Sequence, residues 1–186
     1  MILKLIKLVK WNLKRELIKS IFLLVLDVDG VLTDGKLIID SEGNQTKNFS
    51  VKDGLGMKLL IEQNIKVVFM SGGKGGASEQ RALGLGIHKC LVNVKNKGEA
   101  LGLLQKEYAI NPENTAFIGD DVNDISVRNY VKLLVATADA SIEFKKISDL
   151  VLINKGGDGA VREFTDRMLK RRNPNFFSKK FFIKND

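Results

Sequence analysis

Six apolar residues in a row, Ile21 to Leu26, break off at Asp27-Val28-Asp29-Gly30. A short apolar run without polar alternation predicts a strand buried on both faces of a parallel sheet. Lys66 to Met70 repeats the pattern and ends at Ser71-Gly72-Gly73; Thr115 to Ile118 runs into Gly119-Asp120-Asp121-Val122-Asn123-Asp124. Shorter strands are expected near Cys90-Leu91-Val92, over Leu133 to Ala136 and over Leu150 to Ile153. Between them the spacing turns helical. A helix follows Asp53-Gly54 with Leu55, Leu59 and Leu60 inward, and another runs from about Gly76 to Leu83. Lys97 opens a third, with Leu101, Leu104 and Tyr108 on its inner face; a helix surrounds Ile142, and a last one runs from about Gly159 to Lys170. Strands alternating with helices predict right-handed crossovers and a parallel α/β sheet covered on both sides. Lys36 to Ile39 and Gln45 to Phe49, flanking Ser41-Glu42-Gly43-Asn44, predict a small β-hairpin after the first strand.

The two ends of the chain read differently. Residues 1–20 predict an amphipathic basic helix, with Ile2, Leu5, Ile6, Val9, Leu13 and Leu17 on one face and Lys4, Lys7, Lys10, Lys14 and Arg15 mostly opposite. Lysines throughout argue against a secretory signal. Packing on its own domain or on a partner subunit is the expected role, and contact with a membrane surface the lesser reading. Residues 21–170, which hold the alternating strands and helices, are expected to form the main domain. Residues 171–186 are a basic tail with Phe176, Phe177, Phe181 and Phe182, a disordered end or an arm docked on a neighbour.

Composition changes this picture little. A chain of 186 residues is one domain with room for one good core. The single cysteine, Cys90, excludes an internal disulfide framework and points to the reducing cytoplasm. No apolar run approaches the roughly 20 residues of a membrane span. The formal charge of +8 gathers largely in the termini, outside the motif-bearing part, and no base-stacking motif supports a nucleic-acid partner.

The chemistry lies in the strand ends, which in a parallel sheet face one side. Asp27, Asp29, Ser71, Lys97, Asp120 and Asp124 therefore converge. Singly, each has an ordinary explanation: a turn, a surface lysine, an N-cap. Together they suit phosphoryl transfer. Asp27 is placed to attack phosphorus and carry an aspartyl phosphate, and Asp29 to protonate the leaving oxygen and then deprotonate water. Carboxylates this close require a cation, and Mg²⁺ suits oxygen ligands. Asp27, the backbone carbonyl of Asp29, and Asp120 are its expected ligands, with Asp121 and Asp124 supporting them. Ser71 and Lys97 are expected to hold the phosphoryl oxygens. Gly72-Gly73-Lys74-Gly75-Gly76 lacks the residue order of a P-loop, and His88 reads as a loop residue.

Order and spacing together (hhhhDxD, hhhSGG, Lys, hhGDDxxD) resemble the four motifs of the haloacid dehalogenase (HAD) phosphatases. The resemblance implies a Rossmann-like three-layer α/β/α fold. The stretches between Asp27 and Ser71 and between Ser71 and Lys97 are filled by the hairpin, two helices and a strand, so the chain is a capless member with the hairpin as a flap. From about Phe22 to Leu169, DVDGVLTDG, VKDGLGMKLL, LGLGI, NPENTAFIGDDVND, VATADA and GGDGAVREF resemble the capless phosphatases of acidic eight- and nine-carbon sugars, those of 3-deoxy-D-manno-octulosonate 8-phosphate above all. That resemblance implies substrate contacts at Ser50, Val51, Lys52, Asp53, Gly54, Lys58 and Arg81 as well as Lys97. It also implies a homotetramer whose neighbouring subunits wall each pocket.

Two positions depart from the family. Gly73 stands where an arginine usually follows [ST]G, and Asp158 stands where GGRGAVRE has its first arginine. Lys74 lacks the planar fork with which arginine grips a carboxylate. The catalytic set is complete while the substrate-reading set is altered. Two functions are compatible with this: a Mg²⁺-dependent sugar-phosphate phosphatase, or a non-catalytic oligomer subunit that has lost its sugar.

Overall fold

The computed structural model describes residues 15–182. Six parallel strands form one sheet: β1 (Leu23–Leu26), β4 (Lys66–Met70), β5 (Lys89–Leu91), β6 (Thr115–Gly119), β7 (Leu133–Ala136) and β8 (Leu150–Val151), in the order β5-β4-β1-β6-β7-β8. The chain moves outward from β1 through β4 and β5, then crosses back to β6 on the other side of β1. That reversal leaves a crevice outside the carboxyl ends of β1 and β6, where ligands of such sheets bind. Leu23 of β1 stands opposite Lys66 of β4 and Thr115 of β6, which fixes the register of the three central strands.

Alternate residues of the strands face two separate apolar cores. Leu24, Leu26, Val67, Phe69 and Ile118 join Met57, Leu60, Val161 and Phe164 on one side. Leu23, Val25, Val68, Met70 and Phe117 join Leu101, Leu104, Val127 and Phe144 on the other. The first layer is built by α2 (Val51–Ile61), α3 (Ala77–Leu85) and α6 (Ala160–Arg172); the second by α4 (Lys97–Tyr108), α5 (Ile142–Ile147) and the 3₁₀ segment Val122–Tyr130. The fold is thus the expected three-layer α/β/α sandwich. The antiparallel pair β2 (Ile38–Ile39) and β3 (Gln45–Thr46) is the expected hairpin, and no cap domain is inserted among the described residues.

Three expectations are corrected. Leu55 is 44% exposed, and the inward face of α2 is carried by Met57, Leu59, Leu60 and two glycines instead. A Cβ at Gly56 would sit 2.3 Å from Thr165 Oγ1, so glycine is what lets α2 and α6 approach this closely. The last helix continues to Arg172, and the tail returns to its own domain: Phe176 is buried in the first core and Phe177 packs against it. The 3₁₀ segment Val122–Tyr130 lay outside the helical expectations altogether. The expected amphipathic N-terminal helix lies outside the described residues except at α1 (Arg15–Lys19), where Ile18 is fully buried. No helix among the described residues is long and apolar enough to cross a membrane.

The loop between β8 and α6 presses on the loop after β1. Gly157 N donates to Val31 O (3.0 Å), Gly156 N donates to Asp139 Oδ1 (3.0 Å), and a Cβ at Gly156 would lie 1.8 Å from Gly30 O. Gly156→Ala therefore forces two backbones apart. It should lower stability by about 1–3 kcal/mol, as overpacked sites do, read as a lower urea midpoint; an unchanged midpoint would show that the contact yields freely.

Candidate active site

The residues after β1 turn sharply to bring two acids to one place. Asp27 N still donates to Ile118 O of β6 (3.0 Å), and Asp27 Oδ1 accepts from Val28 N (2.7 Å). Thr33 Oγ1 accepts from Gly30 N and Gly35 N, which closes the loop on itself. Gly30 has φ of +88°, and a Cβ there would lie 2.0 Å from Asp120 Oδ2, so no other residue fits between these strand ends.

Lys97 is the centre of the cluster. Asn96 caps α4 by accepting from Gly98 N and Glu99 N, which sets Lys97 at the first turn with its side chain buried. Its Nζ lies 2.8 Å from Asp27 Oδ1 and donates to Asp124 Oδ1 at 2.5 Å. Asp124, fully buried, uses its other oxygen to accept from Asp120 N (3.0 Å) and Asp121 N (3.4 Å). Asp124 is therefore a clamp on Lys97 and on the β6 turn. Asp121, exposed, accepts from Val122 N and starts the 3₁₀ segment.

Asp27, Asp120 and Asp124 each offer an oxygen within 4.8 Å of the others. One ammonium cannot balance three carboxylates at this range. Burial, then Asp124, raises the Asp27 carboxyl to about 6 against the pull of Lys97. Burial, then Asp27 and Asp124, raises Asp120 to about 8, and a hydrogen bond with the Asp27 carboxyl keeps its proton. Burial works against the Lys97 ammonium, but Asp27 and Asp124 outweigh it and hold its value above the usual lysine range. An all-oxygen set that holds protons for want of positive charge is chemically suited to a hard divalent cation.

The second half of the site faces this cluster. Ser71, at the end of β4 and 1% exposed, accepts from Gly73 N at its Oγ (3.0 Å). Asp29 Oδ2 accepts from Lys47 Nζ at 2.8 Å, while Asp29 Oδ1 is buried with no partner. A Cβ on Gly73 would stand 3.3 Å from both Asp29 Oδ2 and Ser71 Oγ, so these groups meet beside a residue without a side chain. Lys47 escaped the sequence reading, which saw only a strand residue; its alternation with Phe49, two positions on, is the pattern that marks it as inward. Next to Gly73 a cavity of about 540 Å³ opens between the hairpin turn and the start of α3, lined by Asn44, Gln45, Lys74, Glu79 and Asn93 among others.

The residues expected to contact substrate are spread along α2 and α3. Ser50 caps α2, accepting from Asp53 N, and its carbonyl accepts from Arg81 (3.1 Å). Arg81 lies across Gly54, where a Cβ would meet its guanidinium at 2.5 Å, and beside the ring of Phe49. Val51, Lys52 and Lys58 are exposed. Asp53 points elsewhere: 1% exposed, it accepts from Arg162 N (2.6 Å) at the start of α6, and burial raises its carboxyl. The structure gives Asp53 the job of capping a neighbouring helix.

Comparison with known proteins agrees with this geometry. The family model of haloacid dehalogenase-like hydrolases matches residues 91–164. The 3-deoxy-D-manno-octulosonate 8-phosphate phosphatase of Salmonella typhi is 41% identical over 151 residues, 81% of this chain and 80% of that one. Its counterpart in Haemophilus influenzae is 38% identical over 156 residues, 84% of this chain and 87% of that one. The crystal structure of the phosphatase of this name from Moraxella catarrhalis, in complex with magnesium ion, phosphate ion and a KDO molecule, superposes with a TM-score of 0.86 at 34% identity, covering 90% of this chain and 96% of that one. The class is therefore that of the HAD phosphatases, a group of phosphoric monoester hydrolases. Within it, the chain belongs to the 3-deoxy-D-manno-octulosonate 8-phosphate phosphatase family.

The carboxyl cluster gives a pH signature. In the cation-free protein Asp27 and Asp120 keep protons that the unfolded chain has lost above its ordinary carboxylate value, so their stabilisation is complete at low pH. It is lost as pH rises through about 6 and then about 8. With a chelator present, the melting temperature should fall over this window, and a divalent cation should restore it. Asp120→Asn should flatten the fall, as scanning calorimetry across the pH series would reveal; an equally steep fall in the variant would remove Asp120 from the effect.

Proposed function

We propose that this chain is a Mg²⁺-dependent phosphatase of an acidic sugar phosphate of the 3-deoxy-D-manno-octulosonate 8-phosphate or acylneuraminate 9-phosphate kind, acting in the cytoplasm through an aspartyl phosphate on Asp27. The observation that carries it is the buried set Asp27, Lys97, Asp124 and Asp120 at the carboxyl ends of β1 and β6, with Asp29 and Ser71 beside it. Asp27 is the nucleophile: Lys97 and Val28 N hold its Oδ1 and fix the carboxylate, and the proton it shares with Asp120 would give way to the bound cation. Asp29 gives a proton to the leaving sugar oxygen and then takes one from water, from a side chain that is one-third exposed and held in place by Lys47. Ser71 and Lys97 stabilise charge on the phosphoryl oxygens. Asp27, Asp120 and the backbone carbonyl of Asp29 would hold Mg²⁺, with Asp121 and Asp124 fixing the loop around it; bound there, it would supply the positive charge that lets a phosphate dianion approach these carboxylates.

Relatives bearing the phosphatase name, one of them crystallised with magnesium, phosphate and KDO, support this reading. Asp27→Asn should cut phosphate release from sugar phosphates by about 10⁴-fold or more while leaving the fold intact by circular dichroism. Substantial turnover by that variant would sink the covalent route. No release by the wild-type chain across a panel of acidic sugar phosphates would favour the non-catalytic subunit, the reading to which the glycines Gly73, Gly75 and Gly76 lean.

We propose further that the protein is a homotetramer. The site is open, and Leu37, Ile38 and Ile39 of the hairpin with Val51 and Leu55 of α2 stay exposed in one chain. Light scattering at assay concentration should give four times the 20.7 kDa chain mass; a fully active monomer would show that closure comes from within the chain.

A further inference from the structure

The paired residues of the hairpin, Ile38 and Ile39 of β2 with Gln45 and Thr46 of β3, are all exposed. Its hold on the domain comes instead from the residues just after β3, where the chain alternates: Lys47 inward, Asn48 outward, Phe49 inward. Phe49 packs against the first core. The Lys47 side chain is only 2% exposed, and its Nζ rests 2.8 Å from Asp29 Oδ2. A lysine flexible enough to reach water normally does so, since burying an ammonium costs several kcal/mol unless it is paired. Here the chain keeps it buried on a single carboxylate, with Gly73 alongside: a Cβ there would crowd Asp29 Oδ2 at 3.3 Å and only touch Lys47 Nζ at 3.9 Å. The pair occupies one oxygen of Asp29 and leaves the other, Oδ1, buried and unpartnered.

We propose that Lys47 is a positioning residue that locks the orientation of Asp29 and, through the same ion pair, ties the hairpin down beside the reaction centre. The assignment rests on the reading of Asp29 as the acid–base of the reaction. A carboxylate free to rotate would change from moment to moment which oxygen it exposes; the pair with Lys47 fixes the rotation, with Oδ1 turned inward and the rest of the side chain, 33% exposed, left outward. The tie also makes the flap and the acid a single unit, because a hairpin that lifts takes Lys47 with it and releases Asp29.

The test uses Lys47→Met and Lys47→Arg in the full-length chain. Amide hydrogen exchange of residues 36–48, measured without substrate, should be about tenfold or more faster in Lys47→Met, the scale of one lost charge-assisted hydrogen bond. Lys47→Arg should exchange like the wild type, which separates loss of the tie from misfolding. In turnover, Lys47→Met should lower kcat for a sugar phosphate about 10²-fold or more with little change in KM. On p-nitrophenyl phosphate, whose leaving group needs little protonation, kcat should fall far less, and Lys47→Arg should recover most of both. Unchanged exchange in Lys47→Met would overturn the tie, and equal losses on the two substrates, or a loss confined to KM, would overturn the positioning of Asp29. The exchange measurement reads the assignment even in a chain that hydrolyses nothing, so its failure and that of the proposed activity are distinguishable.

Discussion

An ammonium group buried between two carboxylates is the constraint on which this site depends. Lys97 cannot leave Asp27 and Asp124 without stranding buried charges, and neither acid can move without stranding Lys97. Breaking such an arrangement from one side costs about 3–5 kcal/mol. The lysine therefore pins the ends of three elements, β1, β6 and α4, to one another. It balances only part of the negative charge it gathers. The surplus appears in the raised carboxyls of Asp27 and Asp120, which is the electrostatic form of an appetite for a divalent cation.

Around that pin the backbone is packed too tightly for side chains. Gly30 lies between the Asp120 carboxylate on one side and Gly156 on the other, and a Cβ on either glycine would overlap its neighbour. Asp53 joins this frame from α2. By accepting from Arg162 N it satisfies an orphan donor at the start of α6, the helix whose leading loop presses on the β1 turn. The segment after the hairpin and the loop carrying Asp27 are thus braced through a common helix. Stability and site geometry are one network here, since the same contacts that close the core hold the acids in register.

The hairpin is the contrasting part. Its strands are short and exposed, and its purchase on the domain runs through Phe49 and Lys47. A rigid charged floor beneath a lightly held flap is a workable division of labour for an open site: the floor fixes the polar groups, and the flap is free to adjust above them.

The sequence by itself determined the sheet and the polar groups gathered at its strand ends. Uninterrupted apolar runs mark strands buried on both faces, and the acids that end them fall on one side because parallel strands share a direction; Asp27, Asp29, Ser71, Lys97, Asp120 and Asp124 were legible for that reason. It did not determine the inner faces of the helices. Gly54 and Gly56 of α2, and Gly98 and Gly102 of α4, mark close approach to neighbours that apolar periodicity cannot register, so Leu55 read as inward when it is not. The 3₁₀ segment after Asp121 has no regular period to detect. Lys47 and Asp53 were beyond reach for a shared reason: each owes its role to one partner, Asp29 or Arg162, distant in sequence, and only the folded chain decides which charge meets which donor.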